Sequence, residues 1–173
     1  MMKNFLVLLL LIVVGCGYTT RGFIYAEDTI IIEPVINKID ITSEDRKFSN
    51  YASFPILIEN RLTNELISKF NIEGNLKVVN EDPKALNLAC TVHNYDKETL
   101  RYDESDEVSE QRLRLHVRIE LKSGDGEVLK NKNVIGETTY YLSGANQESE
   151  SSAQVDLIDD TARRICEAVT EEW

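Results

Sequence analysis

Few side chains of this 173-residue sequence have the types and spacing that catalysis requires. The sequence has no GxSxG, P-loop, GxGxxG or HExxH motif. His93 and His116 fall on different predicted strands, and His93 faces away from Cys90 because side chains alternate along a strand. The acidic residues 103–107 lack the glycine of an EF-hand loop, so we interpret them as a solvated turn. We therefore predict no enzymatic activity, no metal site and no cofactor.

A row of basic side chains is the one arrangement that suits ligand binding. Arg112, Arg114, His116 and Arg118 occupy every second position of a predicted strand, which places them on one face. Their spacing along the strand is about 6.6 to 7 Å, and guanidinium groups bind phosphates and carboxylates in a bidentate manner. Two interpretations stay open. The row contacts an anionic ligand or partner, or it pairs with Glu and Asp side chains of neighbouring strands.

Cys16 indicates a covalent lipid anchor. Residues 5–14 form an unbroken apolar run, too short for a membrane crossing of roughly 20 helical residues. The run suits the hydrophobic region of a secretory signal, which we place at residues 1–15. It ends in VVGC, which resembles the bacterial lipobox, whose cysteine is acylated after the signal is cut. Several acyl chains give a stable anchor, and Gly17 is compatible with export to the outer membrane. The alternative is an ordinary signal peptide with an incidental cysteine.

The other two thiols, Cys90 and Cys166, fall on predicted inward faces of a strand and a helix. In an oxidising compartment they could form a disulfide. Two small buried apolar side chains are the alternative, and the Cα separation that would decide between them cannot be obtained from sequence.

Composition limits the partners that the chain can have. The formal net charge of -11 argues against nucleic acid, which needs clustered basic residues, and against electrostatic adsorption to anionic membranes. A hydrophobic fraction of 42% is sufficient for a core. We predict a tether over residues 16–28 and a single domain over residues 29–173.

The patterning of the domain predicts an α+β fold. A β-branched segment at 29–35 precedes a polar loop at 37–52, and Pro55 suits the first turn of a helix. That helix carries Ile58, Leu62, Leu66 and Phe70, and the last helix carries Val155, Ile158, Ala162, Ile165 and Val169. Strands are predicted at 76–80, from 86 towards 102, at 112–121 and at 128–142. We expect a small, mostly antiparallel sheet of about four to five strands with two helices packed on one face.

Short motifs in a consistent order resemble the lipopolysaccharide (LPS)-assembly lipoprotein family LptE. The mature N-terminus opens CGY followed by RG, and EPVIN at 33–37 is similar to the I-x-x-P-x-x-N segment of that family. LTNELI followed by Phe70 resembles its L-T-x-x-L-I-x-x-F helix. Residues 102–113 match its Y-D…V-x-E-x-R-L strand entry, and AR at 162–163 and EEW at 171–173 complete the series. Gln111 stands where the family often has Tyr, and no aromatic residue follows Pro34.

The resemblance implies a role in LPS export. Proteins of this family plug a large outer-membrane β-barrel, LptD, from the periplasmic side, help it to assemble and contact LPS as it passes. For this chain it implies an LptD-like barrel and LPS as partners, with Arg112, Arg114 and Arg118 as contacts to phosphorylated lipid A or to acidic barrel loops. The expected location is the periplasmic face of the outer membrane. Alternatives are a free-standing periplasmic lipoprotein that binds a lipid or peptide ligand, and a scaffold of another envelope assembly machine.

Overall fold

The computed structural model describes Tyr25 and residues 27–40, 54–72 and 76–170. The predicted signal segment, Cys16 and residues 171–173 lie outside the described residues, as do most of the tether and of the 37–52 loop. Within the described ranges the elements are β1 (Thr29–Ile32), β2 (Ile36–Asn37), α1 (Ile58–Ile72), β3 (Lys77–Val78), β4 (Leu86–Tyr102), β5 (Val108–Lys122), β6 (Val128–Tyr141) and α2 (Glu150–Thr170).

These strands form a mixed sheet of six, with the order β3-β1-β4-β5-β6 and with β2 also paired to β4. The long strands β4, β5 and β6 are antiparallel neighbours, whereas β1 and β2 run parallel to β4 and β3 runs parallel to β1. The predicted α+β class and two helices are confirmed. The prediction of four to five mostly antiparallel strands is wrong, because β2 adds a sixth strand and because the pairings of β1, β2 and β3 are parallel. Parallel neighbours such as β1 and β3 need a crossover connection. Here the chain crosses over through β2 and α1 before it enters β3.

One apolar core lies between the sheet and both helices. The core-facing side chains of β5 are fully buried at Leu113, Leu115, Val117, Ile119 and Leu121, as strict alternation predicts. They form one cluster with the buried residues of α1 and α2, so the helices cover a single face of the sheet.

The helices differ from the sequence prediction at a few positions. All four predicted core residues of α1 are buried, but the helix begins at Ile58 rather than at Pro55. The backbone of Leu57 has a φ of 56°, and its carbonyl accepts hydrogen bonds from the Asn60 and Arg61 amides. In α2 the prediction is wrong for Val155, which is 53% exposed. Ala153 and Leu157 take the inward positions in that turn.

A very close contact joins α2 to β6. A Cβ atom placed on Gly136 would lie 1.9 Å from Thr161 Oγ1 and 2.7 Å from Thr161 Cα. Thr161 is fully buried, and its hydroxyl donates to the Leu157 carbonyl at 2.6 Å within its own helix. The absence of a side chain at Gly136 therefore sets how closely the helix approaches the sheet.

Cys90 and Cys166 are both buried free thiols in the structure, which supports the second of the two interpretations given above. Burial, with a smaller contribution from the Glu33 charge, raises the pKa of Cys90 to about 12. These thiols therefore act as small apolar side chains of the core.

Candidate functional site

The face of the sheet opposite the helices is polar and at least partly solvent-exposed over β4, β5 and β6. We call this surface the outer sheet face. Its central members are Thr91, Asn94, Asp96 and Glu98 on β4, Arg112, Arg114, His116 and Arg118 on β5, and Asn133, Ile135, Glu137 and Thr139 on β6. The structure thus places the predicted basic row on one face, in the middle strand of three.

A β-bulge decides which residues of β4 join this face. Leu86, Leu88, Cys90 and Val92 point into the core, but the register shifts between Val92 and Asn94, so His93 is the extra residue. Beyond it the inward side chain is Tyr95, which is 1% exposed. Asp96 and Glu98 are consequently brought to the outer sheet face beside the basic row.

An ion pair and a histidine–carboxylate hydrogen bond join the two rows in a staggered pattern. Arg114 lies opposite Asp96 in the register but donates to Glu98 Oε2 at 2.9 Å. His116 Nε2 lies 2.6 Å from Asp96 Oδ2 in the same diagonal sense. Arg114 and His116 therefore each contact the carboxylate one cross-strand pair further along, so cross-strand pairing accounts for the middle of the row.

The stagger leaves the ends of the row without carboxylate partners. Arg112 faces Glu98 in the register, but that carboxylate is engaged by Arg114, and Arg112 has no ion pair among the described residues. Arg118 is exposed and makes a long hydrogen bond, 3.4 Å from Nε to Asn133 Oδ1. Two arginines whose backbone positions lie about 20 Å apart along the strand are thus available to anionic groups.

The structure also brings the two histidines together. The His93 and His116 rings have centroids 5.9 Å apart, a proximity that the bulge creates and that strand alternation alone did not predict. In the described part of the chain no group of three His, Cys, Asp or Glu side chains is arranged to hold a metal ion.

A second polar cluster lies on the core side, under the first turn of α2. Lys97 Nζ is 2.7 Å from Glu150 Oε2, and the Tyr140 hydroxyl donates to Gln111 Oε1 at 2.6 Å. Burial and the nearby Glu150 charge raise the pKa of Tyr140 and of Tyr95. This cluster fixes the start of α2 to the sheet, and no sequence motif indicates it.

A cleft of about 530 Å³ lies at the far end of the sheet, where Glu27, Asp82, Lys84 and Asp125 are among its lining residues. Asp82 accepts hydrogen bonds from the Lys84 amide at 3.0 Å and from the Thr29 hydroxyl at 2.8 Å. These two hydrogen bonds, in that order of effect, lower the pKa of Asp82. Its carboxylate thus serves the local turn rather than a ligand.

Neither helix in the described residues is long and apolar enough to span a bilayer.

A solved structure shows the same fold. The minor lipoprotein from Acinetobacter baumannii aligns with a TM-score of 0.51 at 16% identity, over 84% of this chain and 94% of that one. The uncharacterized lipoprotein B from Nitrosomonas europaea aligns with a TM-score of 0.47 at 16% identity, over 88% and 92% of the two chains. No curated protein sequence matches significantly. The family model described as "LptE: Lipopolysaccharide-assembly" matches residues 38–171, most of the chain, and the protein therefore belongs to this non-enzymatic LPS-assembly family.

Proposed function

We propose that this protein is a lipid-anchored subunit of the outer-membrane LPS translocon. In this role it assists assembly of an LptD-like β-barrel, plugs its lumen from the periplasmic side and contacts LPS during export. Acyl chains on Cys16 hold it at the periplasmic face of the outer membrane. The proposal rests on family membership together with one structural observation, the outer sheet face and its two arginines that have no carboxylate partner among the described residues.

The polarity of the outer sheet face suits a barrel lumen. Interiors of large outer-membrane barrels are polar, and a plug must present hydrogen-bonding side chains to that wall. The outer sheet face supplies alternating acids, bases and amides along three long strands, while the apolar side chains of β5 are turned to the core. Both helices lie on the other face of the sheet, so within the described part of the chain no helix covers this surface.

The arginines supply the LPS contact within this proposal. Phosphates on lipid A are dianionic oxygen clusters that guanidinium groups bind through parallel hydrogen bonds. Arg112 and Arg118 make the main contacts to these phosphates, because they have no carboxylate partner in the described structure. Arg114 lies between them and joins when an anion competes with Glu98, since its pair is partly exposed.

Anion contact is tested by removing the two available guanidinium groups. We expect Arg112→Ser combined with Arg118→Ser to weaken binding of purified LPS by about tenfold, since two charge-assisted contacts at partly exposed sites contribute roughly 1.4 kcal/mol together. The matched control is Lys77→Ser with Lys84→Ser, which removes the same charge from exposed positions at the far end of the sheet. Equal affinities of the two double variants would refute the arginine contact.

Barrel association is tested separately. The full chain, affinity-tagged at its C-terminus, is isolated from solubilised outer membranes, and a stoichiometric large β-barrel protein is expected in the eluate. A monomer that retains a lipid or peptide ligand and no barrel would instead support the free-standing ligand-binding lipoprotein.

The anchor is tested by Cys16→Ser. We expect the variant to lose the mass of the acyl chains and to leave the membrane fraction. If the Cys16→Ser protein stayed in the membrane fraction as the wild type does, and the wild type carried no acyl chains on Cys16, lipid anchoring through this cysteine would be refuted.

A further inference from the structure

The two edges of the sheet differ greatly in length. One edge is β3, which has two residues, and the other is β6, which has fourteen. Short edge strands are a common protection against unwanted pairing, whereas a long edge presents a row of backbone groups to any extended chain.

Register shows which backbone groups of β6 are free. The Leu142 amide donates to the Ser109 carbonyl, so even-numbered residues of β6 exchange hydrogen bonds with β5. Odd-numbered residues from 131 onward therefore direct their N–H and C=O groups away from the sheet. Consistent with this, the Glu137 amide donates outward to Asp160 Oδ2 at 2.9 Å.

The C-terminal half of this edge is closed by the protein itself. Asp160 caps the Glu137 amide, and the Tyr141 carbonyl accepts from the Glu148 amide at 2.8 Å. The N-terminal half is open, since the outward backbone groups of Asn131, Asn133 and Ile135 have no hydrogen-bond partner among the described residues.

A groove of about 260 Å³ runs beside the open half, between β6 and α2. Its lining includes Lys132, Asn133, Ile135, Arg164, Glu167 and Ala168. Two of its charges are already neutralised, Arg164 by Asp160 at 2.7 Å and Glu167 by Arg163. Lys132 has no ion pair with any described residue, so the described lining of the groove carries one uncompensated positive charge.

We propose that residues 131–135 of β6 form a docking edge for an extended polypeptide segment of a partner protein, added as a further strand with an acidic side chain in the groove. The unpaired backbone groups supply the hydrogen bonds of strand addition. The groove receives every second side chain of the added strand, and Lys132 selects a carboxylate there. This edge borders the outer sheet face, to which the side chains of Asn133 and Ile135 belong, but it binds through backbone groups and the groove beside α2, and the inference does not depend on the proposed function.

Peptide binding to the full chain in detergent tests this edge. The probes are two short fluorescent peptides of alternating Thr and Val that differ only at the central residue, Glu or Lys. We expect the Glu peptide to bind about twofold to fivefold tighter, the range for one partly exposed ion pair. In Lys132→Glu the preference should reverse.

Proline variants locate the site. Ile135→Pro removes an outward amide without breaking a hydrogen bond to β5, since proline is tolerated on the free side of an edge strand. We expect it to weaken the Glu peptide at least about fivefold, whereas Thr139→Pro, the same change outside the groove, should leave binding unchanged. Circular dichroism checks that both variants fold.

Three results would overturn the proposal: no binding of either peptide at millimolar concentration, equal effects of the two proline variants, or a charge preference unchanged by Lys132→Glu. Sedimentation of the chain alone is run in parallel. Self-association abolished by Ile135→Pro would assign the edge to a second copy of this chain and also contradict a partner segment.

Discussion

Replacing Gly136 with alanine should destabilise the fold through one steric contact. The new Cβ would meet Thr161 Oγ1 at 1.9 Å and Thr161 Cα at 2.7 Å, distances that real Cβ atoms do not reach. The hydroxyl could rotate, but the helix backbone could not yield without moving α2 off the core. Overpacking of this kind costs about 1 to 3 kcal/mol, and backbone involvement places Gly136→Ala near about 3 kcal/mol.

Urea unfolding followed by circular dichroism measures this loss, and thermal unfolding should show a decrease in Tm of roughly 6 to 12 °C for a domain of this size. Gly126→Ala is the control for glycine loss itself. Its Cβ would meet nothing within 4 Å, but its φ of +86° is strained for alanine, so a cost of only about 1 kcal/mol is expected.

Thr161→Ala removes the atom of closest approach, and the double variant should therefore lose less stability than the sum of the two single variants, by about 1 kcal/mol. A Gly136→Ala protein within about 0.5 kcal/mol of the wild type would refute the close packing of α2 on β6. Strict additivity would contradict the assigned contact with Thr161.

Three further outcomes are expected. Asp160→Asn should lower the free energy of unfolding by about 2 kcal/mol near neutral pH. Burial raises the pKa of Asp160, but hydrogen bonds and the arginine charges more than offset this and lower the pKa. The stability difference between the wild type and the variant therefore holds above about pH 4 and shrinks as the pH falls through the lowered pKa, and a difference that grows on acidification would contradict this. Cys90 and Cys166 should resist alkylation in the native protein and react in urea, as followed by mass spectrometry. If they reacted in urea only after a reductant was added, the two residues would form a disulfide. Glu98→Gln frees the guanidinium of Arg114 and should tighten LPS binding about twofold to threefold, whereas weaker binding argues against anion contact at this row.

Strict periodicity made some elements predictable. In β5 the apolar residues from Leu113 to Leu121 occupy every second position without interruption, so both faces followed from the sequence. The same holds for α1, where Ile58, Leu62, Leu66 and Phe70 recur every four residues. Each pattern lies within one element, and the apolar side of that element packs against one neighbouring layer of the fold.

Features set by distant contacts were not predictable. The bulge at His93 reverses the faces of β4, and uninterrupted alternation would have buried Asp96 and Glu98. Val155 fits the helical spacing but is exposed, because Ala153 and Leu157 take the buried positions of that turn. Thr161 is buried because its hydroxyl donates within its own helix and because Gly136 has no side chain to exclude it. The strand β2 is too short to carry a pattern and pairs in parallel with β4, whereas β3 lies within the strand predicted at 76–80 and only its parallel pairing with β1 was not predicted.

The basic row of β5 combines residues explained by folding with residues that are not. Arg114 and His116 have carboxylate partners within the sheet, as the cross-strand interpretation predicts. Even so, an exposed ion pair contributes only about 0 to 1 kcal/mol to the stability of a fold. Stability alone therefore does not explain the basic side chains at these positions. Arg112 and Arg118 form no ion pair with a carboxylate among the described residues. The row therefore has partnered side chains at its centre, Arg114 and His116, and available ones at its ends, Arg112 and Arg118. Such an arrangement should bind a ligand with two separated anionic groups more tightly than it binds a single anion. Inorganic phosphate should therefore compete poorly with LPS for this face, and efficient competition would contradict a two-point contact.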